Sequence, residues 1–235
     1  TYALAELFTR KDEAEIAELR KAGQAIDAVH AQVPKLLQPG RTEAEVAQEL
    51  EELILQEHTV IDFVIVGSGP NGANPHHSFS DRVLAEGEPV VVDIGGTLPS
   101  GYHSDCTRTY VVGTANDFAK EIYDVVLRAQ EAGVAASVPG AKLADVDAAC
   151  RDIISAAGYG DYFVHSTGHG VGLDVHEAPF AAQTGKGELA AGMTLTIEPG
   201  IYIPGKGGVR IEDTLIITSG APKIITPSSK ELRVI

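Results

Sequence analysis

Apolar residues recur every three to four positions between residues 11 and 33, where Ile16, Leu19, Ile26 and Val29 or Val33 share one stripe. That period predicts an amphipathic helix. Gly23 falls within the stripe, where it weakens the helix slightly and marks a close packing contact. PGRTEAEVAQELEELILQEH predicts a second helix, with Thr42 and Glu45 as a capping box and Val46, Leu50, Leu53 and Ile54 as its buried face. The pattern then changes to short β-rich runs at Phe63 to Val66, Val90 to Val92 and Thr107 to Val112. Between the first two lies GSGPNGANPHHSFSD, a Gly/Asn/Pro loop carrying His76 and His77. The order repeats. Helical patterns over about 117 to 136 and 143 to 157 precede strands near Thr194 to Ile197, Tyr202 and Ile203, and Val209 to Ile217. Helices then strands, twice over, predict a duplicated α+β layout rather than βαβ alternation. The repeat is architectural, with no residue-level identity between the halves. No low-complexity segment or long linker divides the chain, so a single domain over residues 1–235 is expected.

Composition narrows the function classes. The 235 residues include 44% apolar and 22% charged side chains, ordinary for a globular protein with a sizeable core. Eighteen basic and 33 acidic residues give a net charge of −15. That balance disfavours nucleic acid and anionic membrane as partners, since both are gripped by clustered Lys and Arg. Cys106 and Cys150 provide no disulfide framework, and reduced thiols suit a cytoplasmic location. No apolar run approaches the roughly 18 residues of a membrane span. The opening TYALAELFTRKDEAEIAELR lacks the layout of a signal peptide and an initiator Met, so the numbering is expected to start inside a longer chain.

Candidate chemistry starts at VVVDIGGTLPSGYHSDCTRTY, residues 90 to 110, which has two incompatible readings. Asp93 with Gly95-Gly96-Thr97 resembles the phosphate-binding turn of actin-like kinases. Alternatively, Asp93 is half of a metal-binding pair whose second acid is Asp105. Five side chains share the second setting: Asp93 closing VVVD, Asp105, His169 in a glycine-rich turn, Glu198 after TLTI, and Glu212 in GGVRIEDT. A carboxylate beside buried apolar residues is costly unless its charge is compensated. Arg108 and Arg210 can neutralise two of the four acids at most, whereas a pair of divalent ions neutralises all. Four carboxylates with one imidazole form a hard donor set suited to Mn²⁺, Co²⁺ or Fe²⁺, with Zn²⁺ also admitted. Carboxylates bridging two ions can hold a hydroxide between them, and the reaction class becomes hydrolysis. His165, His169 and His176 lie close together among Gly168, Gly170 and Gly172, which points to the same site. His77 and His103 read as loop surface.

The ordered set DIGG…GYHSDCTRTY, HSTGHGVGLDVHEAP, TIEPGIYI and GVRIEDT resembles the pita-bread metallopeptidases, the family of prolidase, aminopeptidase P and methionine aminopeptidase. The resemblance runs from about residue 11 to the end. It implies a pita-bread fold, with pseudo-duplicated α/β halves, a curved antiparallel sheet and helices on its outer face. It also implies two divalent ions, Mn²⁺ or Co²⁺ first, on Asp93, Asp105, His169, Glu198 and Glu212. The phosphate-turn reading has no second nucleotide motif to support it. By the same resemblance His76 becomes a substrate-side histidine, while His165 and His176 line the pocket. Glu198 would shuttle the proton, His176 and His76 would stabilise the oxyanion, and Arg210 would orient Glu212 or assist proton transfer. The PNGANPHH loop and EPGIYIPGKGGVRIEDT are most similar to prolidase and aminopeptidase P. The implied activity is therefore exopeptidase cleavage at Xaa-Pro bonds of short peptides, with methionine aminopeptidase as the alternative. Prolidase relatives are often dimers, so a homodimer is compatible.

Three departures stand out. The Asp93–Asp105 spacer is one residue longer near Leu98-Pro99, which should bulge a hairpin. Phe180 occupies the place of an arginine that in some prolidases holds the dipeptide carboxylate. The N-terminal domain of larger relatives is absent from this sequence. Phe180, Tyr202 or Val171 are candidates for a proline pocket. Pita-bread domains that serve as peptide- or histone-binding modules, and creatinase, have substituted ligand positions. All five positions are intact here.

Overall fold

Strand alternation sorts the side chains of this chain into two layers. The computed structural model describes residues 7 to 235. Its first half carries helices α1 (Glu13–His30) and α2 (Glu43–Ile54), then strands β1 (Val60–Ser68), β2 (Pro89–Thr97) and β3 (Cys106–Val111). The second carries α3 (Asp117–Ala136), α4 (Leu143–Ala156), β4 (Gly168–Gly170), β5 (Glu177–Ala181), β6 (Thr194–Ile197), β7 (Gly200–Ile203), β8 (Gly207–Arg210) and β9 (Asp213–Ile216), followed by β10 (Lys223–Ile224) and β11 (Arg233–Val234). The α2 capping box forms as expected from Thr42 and Glu45.

Val64 and Val66, Val90, Val92 and Ile94, and Cys106 and Tyr110 pack with α1 and α2 in one core. Leu195, Ile197 and Leu215 pack with α3 and α4 in another. Side chains of the opposite parity face away from the helices. Those include Phe63, Ile65, Asp93, Asp105, Thr107, Glu198, Glu212 and Thr214, so all four candidate acids fall on one side of the sheets. Arg108 has the helix-side parity. It lies 2% exposed against Asp213 at 2.8 Å, and it also donates to the carbonyls of Thr226 and Ser228. It therefore neutralises none of the candidate acids.

Pairing within each half is antiparallel. The sheets run β1-β2-β3-β11 and β10-β9-β6, with two hairpins, β4–β5 and β7–β8. Only β11 among these pairs runs parallel to its neighbour, β3. The predicted single strand from Val209 to Ile217 is two strands, because the chain changes partner at Ile211 and Glu212 from β7 to β6. At that break the Glu212 amide donates to the Thr107 carbonyl, tying the second half to the first. The halves repeat in backbone detail. The Leu84 and Leu189 amides donate to the carbonyls of Arg41 and Ala141, and the Gly87 and Gly192 amides to those of Val112 and Ile217.

Two glycine expectations resolve here. A Cβ on Gly23 would lie 2.3 Å from the Ile225 carbonyl oxygen, so the close contact is real. Gly95 and Gly96 belong to β2 rather than to a turn, which removes the phosphate-loop reading. Their bare backbone makes room for the Phe63 ring on one side and for His58 and Ile54 on the other.

Candidate active site

The acids converge because the strands that carry them are neighbours. Asp93 pairs with Thr107 across β2 and β3. His169 is held beside β6, its amide donating to Thr196 Oγ1 at 3.0 Å. This approach needs Gly168, whose Cβ would sit 1.8 Å from the Thr196 carbonyl oxygen. Donor atoms of Asp105, His169 and Glu212 all lie within 4.8 Å of one another, and all three residues are buried. His169 Nε2 is 3.1 Å from Glu198 Oε1 and 3.5 Å from Asp105 Oδ2. Its Nδ1 faces the Gly170 carbonyl at 3.0 Å, which assigns that nitrogen the proton and leaves Nε2 for the acids or a cation.

Left to themselves, these carboxylates repel. Burial, then the charges of Glu212 and Asp93, hold Asp105 well above the usual carboxylate range, and burial and Glu198 do the same for Glu212. Burial is the largest single influence on Glu198 and opposes its charge, but the His169 hydrogen bond and the charges of His169, His165 and Arg210 together outweigh it and lower its pKa. Asp93 Oδ1 and Glu212 Oε1 are buried side-chain oxygens with no hydrogen-bond partner among the described residues. Orphaned carboxylate oxygens beside a compact Asp/His/Glu group suit one or more hard divalent cations.

A second network surrounds the acids. Arg210 donates to Asp93 Oδ2 at 2.6 Å, to the Tyr202 hydroxyl at 2.8 Å and to Thr107 Oγ1 at 3.1 Å. Thr107 donates in turn to Glu212 Oε2 at 2.8 Å. Arg210 thus touches Asp93 directly and Glu212 through Thr107. His165 Nδ1 lies 2.7 Å from the Ser166 carbonyl, so its Nε2 accepts from the Tyr202 hydroxyl at 2.8 Å. Burial lowers its pKa. Both of its ring nitrogens are occupied, so it offers the cavity no free ring nitrogen. The His176 ring centroid is 4.1 Å from that of His169, and His176 faces the same cavity as His76.

The cavity walls differ from the residues proposed for a proline pocket. Val171 is buried in a separate cluster with Leu19, Ile216 and Ile225, and Tyr202 is held by Arg210 and His165. Phe180 pairs with His169 across β4 and β5 but does not line the cavity. Phe63, Ile65, Pro75, Phe79 and Val175 form the apolar wall instead. Period-two alternation of Ile61, Phe63 and Ile65 was the available signal for part of it.

His77 and His103 are not loop surface. His103 Nδ1 meets Asp62 Oδ2 at 2.7 Å, and His77 Nε2 meets Glu43 Oε2 at 2.8 Å. Glu43, fully buried at the start of α2, also accepts from the Ser68 amide and hydroxyl, Asn71 Nδ2 and the Ser80 hydroxyl. It pins both ends of the loop that carries His76. Burial opposes its charge, but the bonds from Ser68 and His77 outweigh it and lower its pKa. Glu43→Ala leaves several buried donors without an acceptor and is expected to cost about 3 kcal/mol, measured by urea unfolding.

Metallopeptidase family M24 has a sequence model that matches residues 17–219. The chain belongs to that family. Among M24 relatives, the probable dipeptidase PepE of Mycobacterium bovis is 51% identical over 236 residues, covering 100% of this chain and 63% of its own. The Xaa-Pro dipeptidase of Pyrococcus furiosus is 46% identical, covering 96% of this chain and 65% of its own. The crystal structure of dipeptidase PepE from Mycobacterium ulcerans superposes with a TM-score of 0.97 at 50% identity, covering 100% of this chain and 64% of that one. The chain therefore spans just under two thirds of these M24 relatives, and its fold is the pita-bread fold of their peptidases. No helix among the described residues is long and apolar enough to cross a membrane.

Proposed function

We propose that this chain is the catalytic part of a metal-dependent exopeptidase that hydrolyses Xaa-Pro bonds in short peptides, with two divalent ions held by Asp93, Asp105, His169, Glu198 and Glu212. The observation that carries the reading is the pair of orphaned buried oxygens, on Asp93 and Glu212, beside the compact Asp105/His169/Glu212 group. Mn²⁺ or Co²⁺ suits the donors best. When bound, such ions polarise the scissile carbonyl and lower the pKa of water. Glu198, which lines the cavity and is held by Thr196 and His169, takes the proton of the attacking water and passes it to the leaving nitrogen. His176 and His76 flank the cavity and donate to the oxygen that gains negative charge. Arg210 positions Asp93 and, through Thr107, Glu212. The M24 relatives named as an Xaa-Pro dipeptidase and as dipeptidases support the substrate class.

The test combines metal analysis after dialysis with hydrolysis of Ala-Pro and Ala-Pro-Ala, using added Mn²⁺ or Co²⁺ and a chelator control. Two bound ions and chelator-sensitive release of the first residue are expected. Absence of stoichiometric metal, or cleavage of Met-Ala peptides with Xaa-Pro peptides untouched, would reject the reading.

A further inference from the structure

The cavity extends beyond the acid cluster. With a volume of about 930 Å³, it passes over the edge of β1 to Glu51 on α2. Among the described residues β1 is the outer strand of its sheet and pairs with β2 alone. Backbone groups along a strand point alternately to its two sides. The Val66 amide points outward, donating to the Ser78 carbonyl at 2.6 Å. The N–H and C=O of Val64, two residues earlier, therefore also point away from β2. Val64 lines the cavity although its side chain packs in the helix-side core, so it presents main chain there. Among the described residues, no loop backbone or side chain bonds these outward groups. The open stretch is short. Ser78 closes it at Val66, and the bulge between Ile61 and Phe63 interrupts it at the other end.

Charge gives a second, independent observation. Among the described residues Arg210 is the one Arg or Lys side chain lining the cavity, and Asp93, Tyr202 and Thr107 already occupy it. Glu51 adds negative charge at the β1 end, where Asp62 is already paired with His103. The terminal carboxylate of a bound dipeptide, directly after the scissile bond, would meet no free Lys or Arg among the described residues. A longer peptide places a neutral amide at that point.

We infer that the Val64 edge of β1 is a subsite for the carboxyl-terminal extension of the substrate, making peptides longer than two residues the preferred substrates. The inference rests on the exopeptidase reading above. Ile65 lies opposite Asp93, and paired strands are about 4.8 Å apart. The Val64 edge is thus within about two residue lengths of the acids. An enzyme that releases the first residue has only that residue before the scissile bond, so only the carboxyl side is long enough to run along a strand. Main-chain pairing at an exposed edge is an established mode of peptide capture. Because one residue of the edge is open, the gain ends about two residues past proline.

The experiment compares kcat/KM of the metal-loaded protein for Ala-Pro, Ala-Pro-Ala, Ala-Pro-Ala-Ala and the next longer peptide, together with forms N-methylated at residue three or four. Two hydrogen bonds of ordinary strength predict a rise of about tenfold by the tetrapeptide, then a plateau. One of the two N-methyl forms should lose that gain. A flat length series, or a gain that both N-methyl forms retain, overturns the inference alone. No cleavage anywhere in the series, with ions bound, overturns the Xaa-Pro reading and this inference with it.

Discussion

Asp105→Asn and Glu212→Gln are expected to lose one bound ion and nearly all hydrolysis while the fold survives. Both side chains are buried, and their charges are opposed by burial and by neighbouring carboxylates. An amide has the same shape and no charge to neutralise, so it keeps the packing but is a poor ligand for a hard cation. The loss should exceed the roughly 10–100-fold that follows removal of a group supporting a ligand. Removing one repelling charge should also leave the metal-free variant at least as stable as the metal-free parent. Metal content, kcat/KM and melting temperature measured on the same samples check all three statements. Near-normal activity with full metal content in either variant would show the ligand assignment to be wrong.

The melting-temperature gain from added metal is expected to be largest near pH 8 and to shrink toward pH 5. Asp105 and Glu212 have folded pKa values above their ordinary ones. Burial is the largest single influence and works to lower His169, but its bond to Glu198, the charges of Glu198 and Glu212 and the Gly170 carbonyl together lift it to about 9. A group raised on folding contributes stability that is fully present below its unfolded pKa and lost as pH rises through the folded value. The metal-free site therefore gains stability as pH falls from about 9 toward 5. Glu198 is lowered, so its contribution is lost only below the ordinary carboxylate range and is constant over this window. Metal binding needs the ligands deprotonated and runs the opposite way. An ion at a hundred times its Kd adds about 2.7 kcal/mol. Buried neutral histidines away from the acids, such as His30, titrate alike in both forms and cancel in the difference. A gain that grows on acidification, or none at pH 8 with metal removal verified, would contradict the expectation.

The candidate ligands were legible because an acid at the end of an apolar run is an anomaly that must be explained. The cavity wall was not, since Phe63 or Ile65 in a β-rich run reads equally well as core. His77 and His103 were misread because their partners, Glu43 and Asp62, are remote in sequence. Arg108 reads as a counter-charge because it is one of the few basic residues in the segments that carry the acids, whereas strand parity sends it to the other face. β4 escaped notice because Gly168–Gly170 is mostly glycine, chosen for close approach to β6 rather than for strand propensity. The break at Glu212 was hidden inside a continuous apolar pattern that a change of strand partner does not disturb.

The seam between the halves has a mechanical meaning. Asp93 and Asp105 come from the first half, and His169, Glu198 and Glu212 from the second. The Glu212 amide and the Thr214 hydroxyl already stitch the seam to Thr107 and Asp105. Ions held by the proposed ligands would act as rivets through two overlapping plates. Any slip of one plate against the other would pull the rivet holes out of line, so grip on the ions and rigidity of the joint become a single property of the molecule.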